Sequence, residues 1–180
     1  QGKEGAMADR QGPPTREEWE KTGKPPHTVK MYIASSVKGP GRRKGSCGYA
    51  LWCPTRPPSE KNPLTGTMYI GETSEHHALL YALHEAAGRV HSECFLTVHT
   101  DSPYIAAALS GWLKDWEANG YLTKKGKPVA DAGLWAETAE RLAAAGHPVH
   151  AALKHTHEWR NWLAWELEKR TAEGRKADKD

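Results

Sequence analysis

Three β-rich segments precede the first helical segment of this chain, and that order constrains the fold more than any other feature. The segments are TVKMYIASSV (28–37), GSCGYALWC (45–53) and GTMYIGET (66–73), joined by connections that are typical of hairpins. Helical periodicity then begins in SEHHALLYALHEAAGRV, with Ser74 placed as an N-cap. Antiparallel strands followed by alternating helices and strands predict a mixed sheet packed between helices.

The second half of the chain alternates between strands and helices. The strand CFLTVHT (94–100) leads into the helical segment SPYIAAALSGWLKDWEANG, which ends at Gly120. A further helix, GLWAETAERLAAAG, ends at Gly146, and HPVHAALKHT and EWRNWLAWELEKR supply a last strand and a last helix. The predicted order of elements is therefore βββαβααβα.

Length and composition predict one domain with extensions at both ends. We expect a disordered arm over 1–27, an α/β domain over 28–170 and a charged, frayed tail over 171–180, because the ends are polar and rich in charge. The opening QGKEGAMA is typical of a cloning remnant.

The chain has neither a membrane-length apolar run nor a signal-peptide pattern. Its three cysteines, Cys47, Cys53 and Cys94, are odd in number and form no metal-type pair. A reducing, cytoplasmic location is therefore predicted. The net charge of +3 permits an anionic partner without requiring one.

The step Thr100-Asp101-Ser102 after the fourth strand, followed by GWLKDWEANGYLTKKGKPVADAGLW, resembles ribonuclease HI. The resemblance covers about 28–170 and implies an RNase H-like fold, a five-stranded mixed sheet with flanking helices and a basic protrusion. More distantly, MYIASS, TSEHHALLYAL and HEWRNWL resemble divergent RNase H-like proteins that are associated with mobile elements of Gram-positive bacteria.

The resemblance implies hydrolysis of the RNA strand of RNA–DNA hybrids by two Mg²⁺ ions held by four carboxylates. Carried over position by position, the family's first two acids fall on Ala34 and Ala78, and the third falls on Asp101. The fourth falls on Trp165, with Glu166 beside it. One carboxylate of four is therefore retained, and the sequence leaves open whether the two alanines are natural.

Other side chains are candidate substitutes for the missing acids. Glu75 lies one helical turn before Ala78, and the family's mobile histidine corresponds to His155 or His157. Together with Asp101, a wider set predicts a site suited to Mn²⁺, Zn²⁺ or Ni²⁺, unless these residues are only solvated surface. The wider set is Glu72, His76, His77, His155, His157, Glu158 and Glu166. Asp101 itself has the alternative role of a helix cap.

Two groups of cations are candidates for nucleic-acid binding. Arg42, Arg43 and Lys44 follow glycines in the first loop, where backbone and side-chain donors suit phosphate oxygens. In the protrusion, lysines alternate with Trp112, Trp116 and Tyr121, a combination that binds backbones and stacks on bases. These lysines are Lys114, Lys124, Lys125 and Lys127. Alternatively, the tryptophans, with Trp135, belong to the core and the lysines to a solvated face.

Three functions follow from these patterns. The first is an RNase H-like domain with a degenerate metal site that binds RNA–DNA hybrid or a related duplex. The second is an active, divergent ribonuclease H that uses Mg²⁺ or Mn²⁺. The third is an interaction module in which Trp159, Trp162 and Trp165, spaced by three along the last helix, contact a protein partner.

Overall fold

The computed structural model describes residues 27–180, so the predicted disordered arm lies outside the described residues except for its last position. Within this range the protein has one five-stranded sheet of order β3-β2-β1-β4-β5. The strands are β1 (Thr28–Ser35), β2 (Arg43–Trp52), β3 (Leu64–Thr73), β4 (Phe95–Thr100) and β5 (His150–Leu153). β1, β2 and β3 are antiparallel neighbours, whereas β4 and β5 run parallel to β1. The predicted mixed sheet is confirmed.

The helices also follow the predicted order. They are α1 (Glu75–Ala87), α2 (Pro103–Ala107), α3 (Leu113–Asn119), α4 (Ala132–Ala143) and α5 (Arg160–Lys179). The segment predicted as one helix after β4 contains a π-helical turn, Ala108–Trp112, between α2 and α3. Ser74 caps α1 as predicted, because its side chain accepts a hydrogen bond from the backbone N–H of His77.

Successive residues of β1 face opposite sides of the sheet, and both sides are covered by helices. Met31 and Ile33 pack in the larger core with α1 and with the fully buried Trp135 of α4. Tyr32 lies on the opposite side, against Leu163 of α5. Trp135 therefore belongs to the core, whereas Trp112 is 46% exposed. None of the helices within 27–180 is long and apolar enough to cross a membrane.

The predicted frayed tail is instead the end of α5, which continues to Lys179. It lies against β3 because Gly174 permits a close approach: a Cβ atom there would overlap Cγ of Tyr69. The Tyr69 hydroxyl donates a hydrogen bond to Asp178 over 2.5 Å, and Thr171 Oγ1 contacts Ser46 Oγ at 2.8 Å. Sequence composition gave no sign of these contacts, because they depend on β3 lying beneath the helix.

We expect Gly174→Ala to lower the free energy of unfolding by about 1–3 kcal/mol, because the added methyl overlaps the Tyr69 ring. Gly111→Ala is the matched control, since it has no atom within 4 Å of its added Cβ in the described structure. That change is expected to be neutral or to stabilise by up to about 1 kcal/mol through helix propensity. Urea unfolding of both variants measures the difference, and equal midpoints would contradict the packing described for α5.

Candidate functional site

A cleft opens where the parallel strands β1 and β4 end side by side. The chain leaves β1 towards β2 and leaves β4 towards β5, so this edge is the switch point at which open α/β sheets commonly bind ligands. The β5–α5 connection and the first turns of α5 form the other wall. The cavity has a volume of about 220 Å³. Its lining residues that carry polar or charged side chains are Ser35, Ser36, Lys38, Asp101, Lys154, His155, His157, Arg160 and Glu168.

Asp101 lies in this cleft and is paired with a lysine. The Lys38 ammonium is 3.3 Å from Oδ2 of Asp101 and reaches it from the β1–β2 loop. The alternative role of Asp101 as a helix cap is wrong, because Ser102 accepts the capping hydrogen bond from the backbone N–H of Ile105 at 3.2 Å. The Asp101 carboxylate therefore does not cap α2, and it lines the cleft.

The family's other acid positions lie in three different surroundings. Ala34 lines the cleft, but Ala78 is 0% exposed and belongs to the core beneath α1. Trp165 is 61% exposed and, like Glu166, is not among the residues that line the cleft. The helix instead presents Glu168 to it, together with Ala164 one turn earlier. Glu168 was not predicted from the sequence. The signal was the spacing of Leu163 and Leu167, which marks the buried face of α5; Glu168 directly follows the second of these leucines.

The substitute acids and histidines of α1 have other partners. Glu75 accepts a hydrogen bond from the backbone N–H of Gly39 at 3.3 Å, which ties α1 to the β1–β2 loop. The His76 ring stacks on Tyr104 with a centroid distance of 4.0 Å. His77 Nδ1 lies 2.9 Å from Oδ1 of Asp131. These contacts hold the three side chains where they form no common site with Asp101.

The described residues do not bring the members of the predicted His-rich metal site together, so that site stays a prediction. Nowhere within 27–180 are three His, Cys, Asp or Glu side chains grouped so that they could hold a metal ion. Glu158, another member of the predicted set, accepts a hydrogen bond from the Tyr32 hydroxyl at 3.1 Å. The residues around Asp101 therefore do not fit a two-metal centre, which needs several oxygen ligands for each ion.

The histidines of the β5–α5 connection do reach the cleft. His155 and His157 line it, and His157 stacks on Tyr32 with a centroid distance of 4.6 Å. Tyr32 stacks on its other side against His99, also at 4.6 Å. Burial lowers the pKa of His157, although the nearby Glu158 and Asp101 carboxylates act in the opposite direction.

His99 is 6% exposed, and neither of its ring nitrogens has a hydrogen-bond partner among the described residues. Burial, followed by repulsion from Lys154 and Lys30, lowers its pKa from 6.5 to about 4. Between pH 6.5 and about 4, His99 is therefore protonated in the unfolded chain but neutral in the folded chain. The stability due to neutral His99 is fully present above pH 6.5 and is lost as the pH falls towards 4.

We expect the free energy of unfolding to fall by up to about 3 kcal/mol over that pH range. His99→Phe keeps a ring against Tyr32 and removes the titration, so its stability should vary less between pH 6.5 and 4. His155→Gln, at an exposed position, is the control and should keep the wild-type pH dependence. Urea unfolding at a series of pH values measures the slopes; identical slopes for wild type and His99→Phe would contradict the assignment.

Three cations of the cleft were not predicted from the sequence. Lys38 follows β1, Lys154 follows β5, and Arg160 begins α5; all three line the cavity. Lys154 and Arg160 are only six residues apart, but Lys38 lies more than a hundred residues earlier, and the pairing of β1 with β4 and of β4 with β5 brings it beside them. The cleft thus has three permanent positive charges against the two carboxylates of Asp101 and Glu168.

The predicted loop cations are exposed and contact their own surroundings. Arg42 donates to the Glu72 carbonyl at 3.2 Å, Arg43 donates to the carbonyls of Pro40 and Lys38, and Lys44 pairs with Asp178 at 3.1 Å. The predicted protrusion lysines lie elsewhere, on α3 and on the turn after it. The structure therefore separates the predicted cations into two groups, of which the loop group adjoins the cleft.

The sheet order, the helices and the position of Asp101 define an RNase H-like domain. The family model of RNase H matches residues 26–170, and the chain belongs to this family. Ribonuclease H of Cupriavidus necator is 36% identical over 112 residues, which cover 61% of this chain and 70% of that protein. Ribonuclease H of Albidiferax ferrireducens is 30% identical over 123 residues, covering 68% of this chain and 78% of that protein.

Other matches are shorter or lie in the fold alone. The chain spans about half the length of the ribonucleases H of Paracidovorax citrulli and Chelativorans sp., 53% and 51% respectively. LC9-RNase H1 has a similar structure, with a TM-score of 0.60, 22% identity, and coverage of 82% of this chain and 74% of that chain. LC11-RNase H1 in complex with an RNA/DNA hybrid has a TM-score of 0.56, 18% identity, and coverage of 82% and 99%. These similarities confirm the predicted fold.

Proposed function

We propose that this domain binds RNA–DNA hybrid in the cleft without cutting it. The observation that carries the proposal is the contact between Lys38 and Asp101, 3.3 Å apart. In the family resemblance, Asp101 is the one retained metal-binding carboxylate, and here a lysine of the same protein forms an ion pair with it. The lysine thus supplies the positive charge that a divalent ion supplies elsewhere.

The surroundings of this pair favour binding over hydrolysis. Ala34 lines the cleft without an oxygen ligand, and Ala78 is buried in the core. Mg²⁺ is held by oxygen ligands, and a two-metal mechanism requires two ions about 4 Å apart. One carboxylate that is already paired with an ammonium is a poor ligand for either. Hydrolysis that relies on such ions for much of a barrier reduction of roughly 15 kcal/mol or more would be lost.

The positive charges of the cleft support the choice of a nucleic acid. Lys38, Lys154 and Arg160 surround the cavity, and cations of this kind contact phosphate oxygens. A related fold, LC11-RNase H1, has been solved with an RNA/DNA hybrid, and we therefore propose hybrid as the ligand. In this proposal the loop group and the protrusion lysines contact the same duplex outside the cleft: Arg42, Arg43, Lys44, Lys114, Lys124, Lys125 and Lys127.

Binding to a fluorescent hybrid with EDTA or with Mg²⁺ at matched ionic strength tests the proposal. We expect dissociation constants that agree within about threefold, and a linear fall of log affinity with log salt concentration. Duplex DNA and duplex RNA of the same sequence measure the preference for hybrid. Absence of binding to any duplex at low salt, or binding that requires Mg²⁺, would contradict the proposal.

A protein partner remains a second hypothesis, because the last helix exposes tryptophan. Trp162 is 38% exposed, whereas Trp159 is half-buried against Trp52 with a ring distance of 6.3 Å. A partner contact is expected to be lost on Trp162→Ala while the fold is retained. A wild-type protein that is monomeric and captures no partner would contradict this hypothesis.

The three cysteines are buried and unpaired, which supports the predicted reducing, cytoplasmic location.

A further inference from the structure

We propose that the end of α5 and the start of β2 form a second site, a groove that binds the phosphate backbone of a nucleic-acid strand. The groove has a volume of about 500 Å³. It is lined by Ser36, Val37, Arg43, Lys44, Glu168, Thr171, Ala172, Arg175, Lys176 and Lys179. The proposal rests on the proposed function, because it extends the same nucleic-acid contact beyond the cleft.

Positive charge dominates the groove. Five of its lining residues are Lys or Arg and one, Glu168, is acidic. All five cations are exposed, although Arg43 and Arg175 also donate to backbone carbonyls. Asp178 lies close by and offsets part of this charge, since its carboxylate is 3.1 Å from Lys44 Nζ. The net charge of the groove is still strongly positive, which suits a row of phosphates.

The wall that carries these cations is fixed to the sheet. Close contact between Gly174 and Tyr69 sets the distance of α5 from β3. The Arg175 guanidinium donates to the Lys44 carbonyl at 3.4 Å, and Asp178 accepts from the Tyr69 hydroxyl at 2.5 Å. Because α5 is held in this way, Lys176 and Lys179 project from a helix of defined position. They are three residues apart, so they lie on the same side of the helix about one turn from each other.

Continuity with the cleft identifies the ligand. Ser36 and Glu168 line both the groove and the cleft, so the two cavities meet along one wall. A strand whose phosphates contact Lys38 and Arg160 can therefore continue along the end of α5 without leaving the protein surface. The cationic segment after Arg170 also lies beyond the residues that the family model matches, 26–170. The groove thus combines residues inside the matched range with cations beyond it.

The test uses the full chain and two charge variants. Arg175→Ala/Lys176→Ala/Lys179→Ala removes three cations of the groove, and Arg56→Ala/Lys61→Ala/Lys169→Ala removes the same charge from residues that do not line it. Because Arg175 also contacts the Lys44 carbonyl, Lys176→Glu/Lys179→Glu repeats the test with Arg175 retained. Thermal unfolding establishes that each variant is folded. A short hybrid that fills only the cleft and a longer one are the probes.

We expect the groove variants to bind the longer hybrid at least about tenfold more weakly than the control does, with a salt slope smaller by up to about 3. Binding of the short hybrid should match that of the control. Equal affinities and slopes for groove variants and control would overturn the groove while leaving the cleft proposal intact. A polyglutamate peptide tests whether the groove binds an acidic protein instead. If the groove variants lose binding to this peptide but bind the longer hybrid as the control does, the groove proposal is also overturned. A wild-type chain that binds no hybrid contradicts both proposals.

Discussion

Lys38→Glu is expected to weaken hybrid binding by at least about tenfold at moderate salt. The change removes a cation from the cleft and places a second carboxylate beside Asp101, which lies 3.3 Å from the ammonium in the wild type. Like charges at that distance repel each other and the phosphates of the ligand. A single contact to a charged group that is lost in this way corresponds to about 1.5–3 kcal/mol.

Lys61→Glu is the matched control, because the charge change is the same and Lys61 is exposed outside the cleft. Its effect on affinity is expected to be less than about threefold, through long-range electrostatics alone. Lys38→Arg should keep most of the affinity because it retains the positive charge. Fluorescence anisotropy titrations of the three variants measure these differences. Equal losses for Lys38→Glu and Lys61→Glu would contradict the role given to Lys38.

Ala78→Glu, which restores the family's acid at this position, is expected to lower the free energy of unfolding by about 3–5 kcal/mol. Ala78 is 0% exposed and packs in the larger core, where a carboxylate finds neither solvent nor a cation. The restored acid therefore should not recreate a metal site. Urea unfolding gives the loss in stability directly.

Ala82→Glu provides the comparison, because Ala82 is equally buried one turn further along α1. Similar losses for the two variants are expected. A loss for Ala78→Glu below about 1 kcal/mol, with Ala82→Glu strongly destabilised, would mean that a longer side chain at residue 78 reaches the cleft. In that case the position would remain suitable for a metal ligand, contrary to our interpretation of the site.

The fold was largely predictable because its signals are local. Period-two runs, the Ser74 cap and the glycine at residue 120 each mark an element from neighbouring residues alone. The order of those elements then restricts the topology. The π-helical turn after β4 was not predicted, because its residues have the same apolar spacing as an α-helix.

The site was less predictable because its members are distant in sequence. Asp101 was recognised from its place after β4, but Lys38, its partner, lies 63 residues earlier. The predicted Glu166 lies outside the cleft and Glu168 lines it, because a shift of two positions on a helix turns a side chain to another face. Likewise, His76 and His77 were grouped with Asp101 because the resemblance places the start of the first helix near the end of β4, whereas the structure gives them Tyr104 and Asp131 as partners.

The measurement that tests the central claim most directly is an assay of hybrid binding and cleavage on the same samples. A hybrid labelled on its RNA strand is incubated with excess protein in Mg²⁺, in Mn²⁺ and in EDTA, and then separated on native and denaturing gels. We predict a retarded complex in all three conditions and an intact RNA strand in each. Metal-dependent cutting of the RNA strand by the wild type, absent from Asp101→Asn, would contradict the claim that Lys38 has replaced the metal ions beside Asp101.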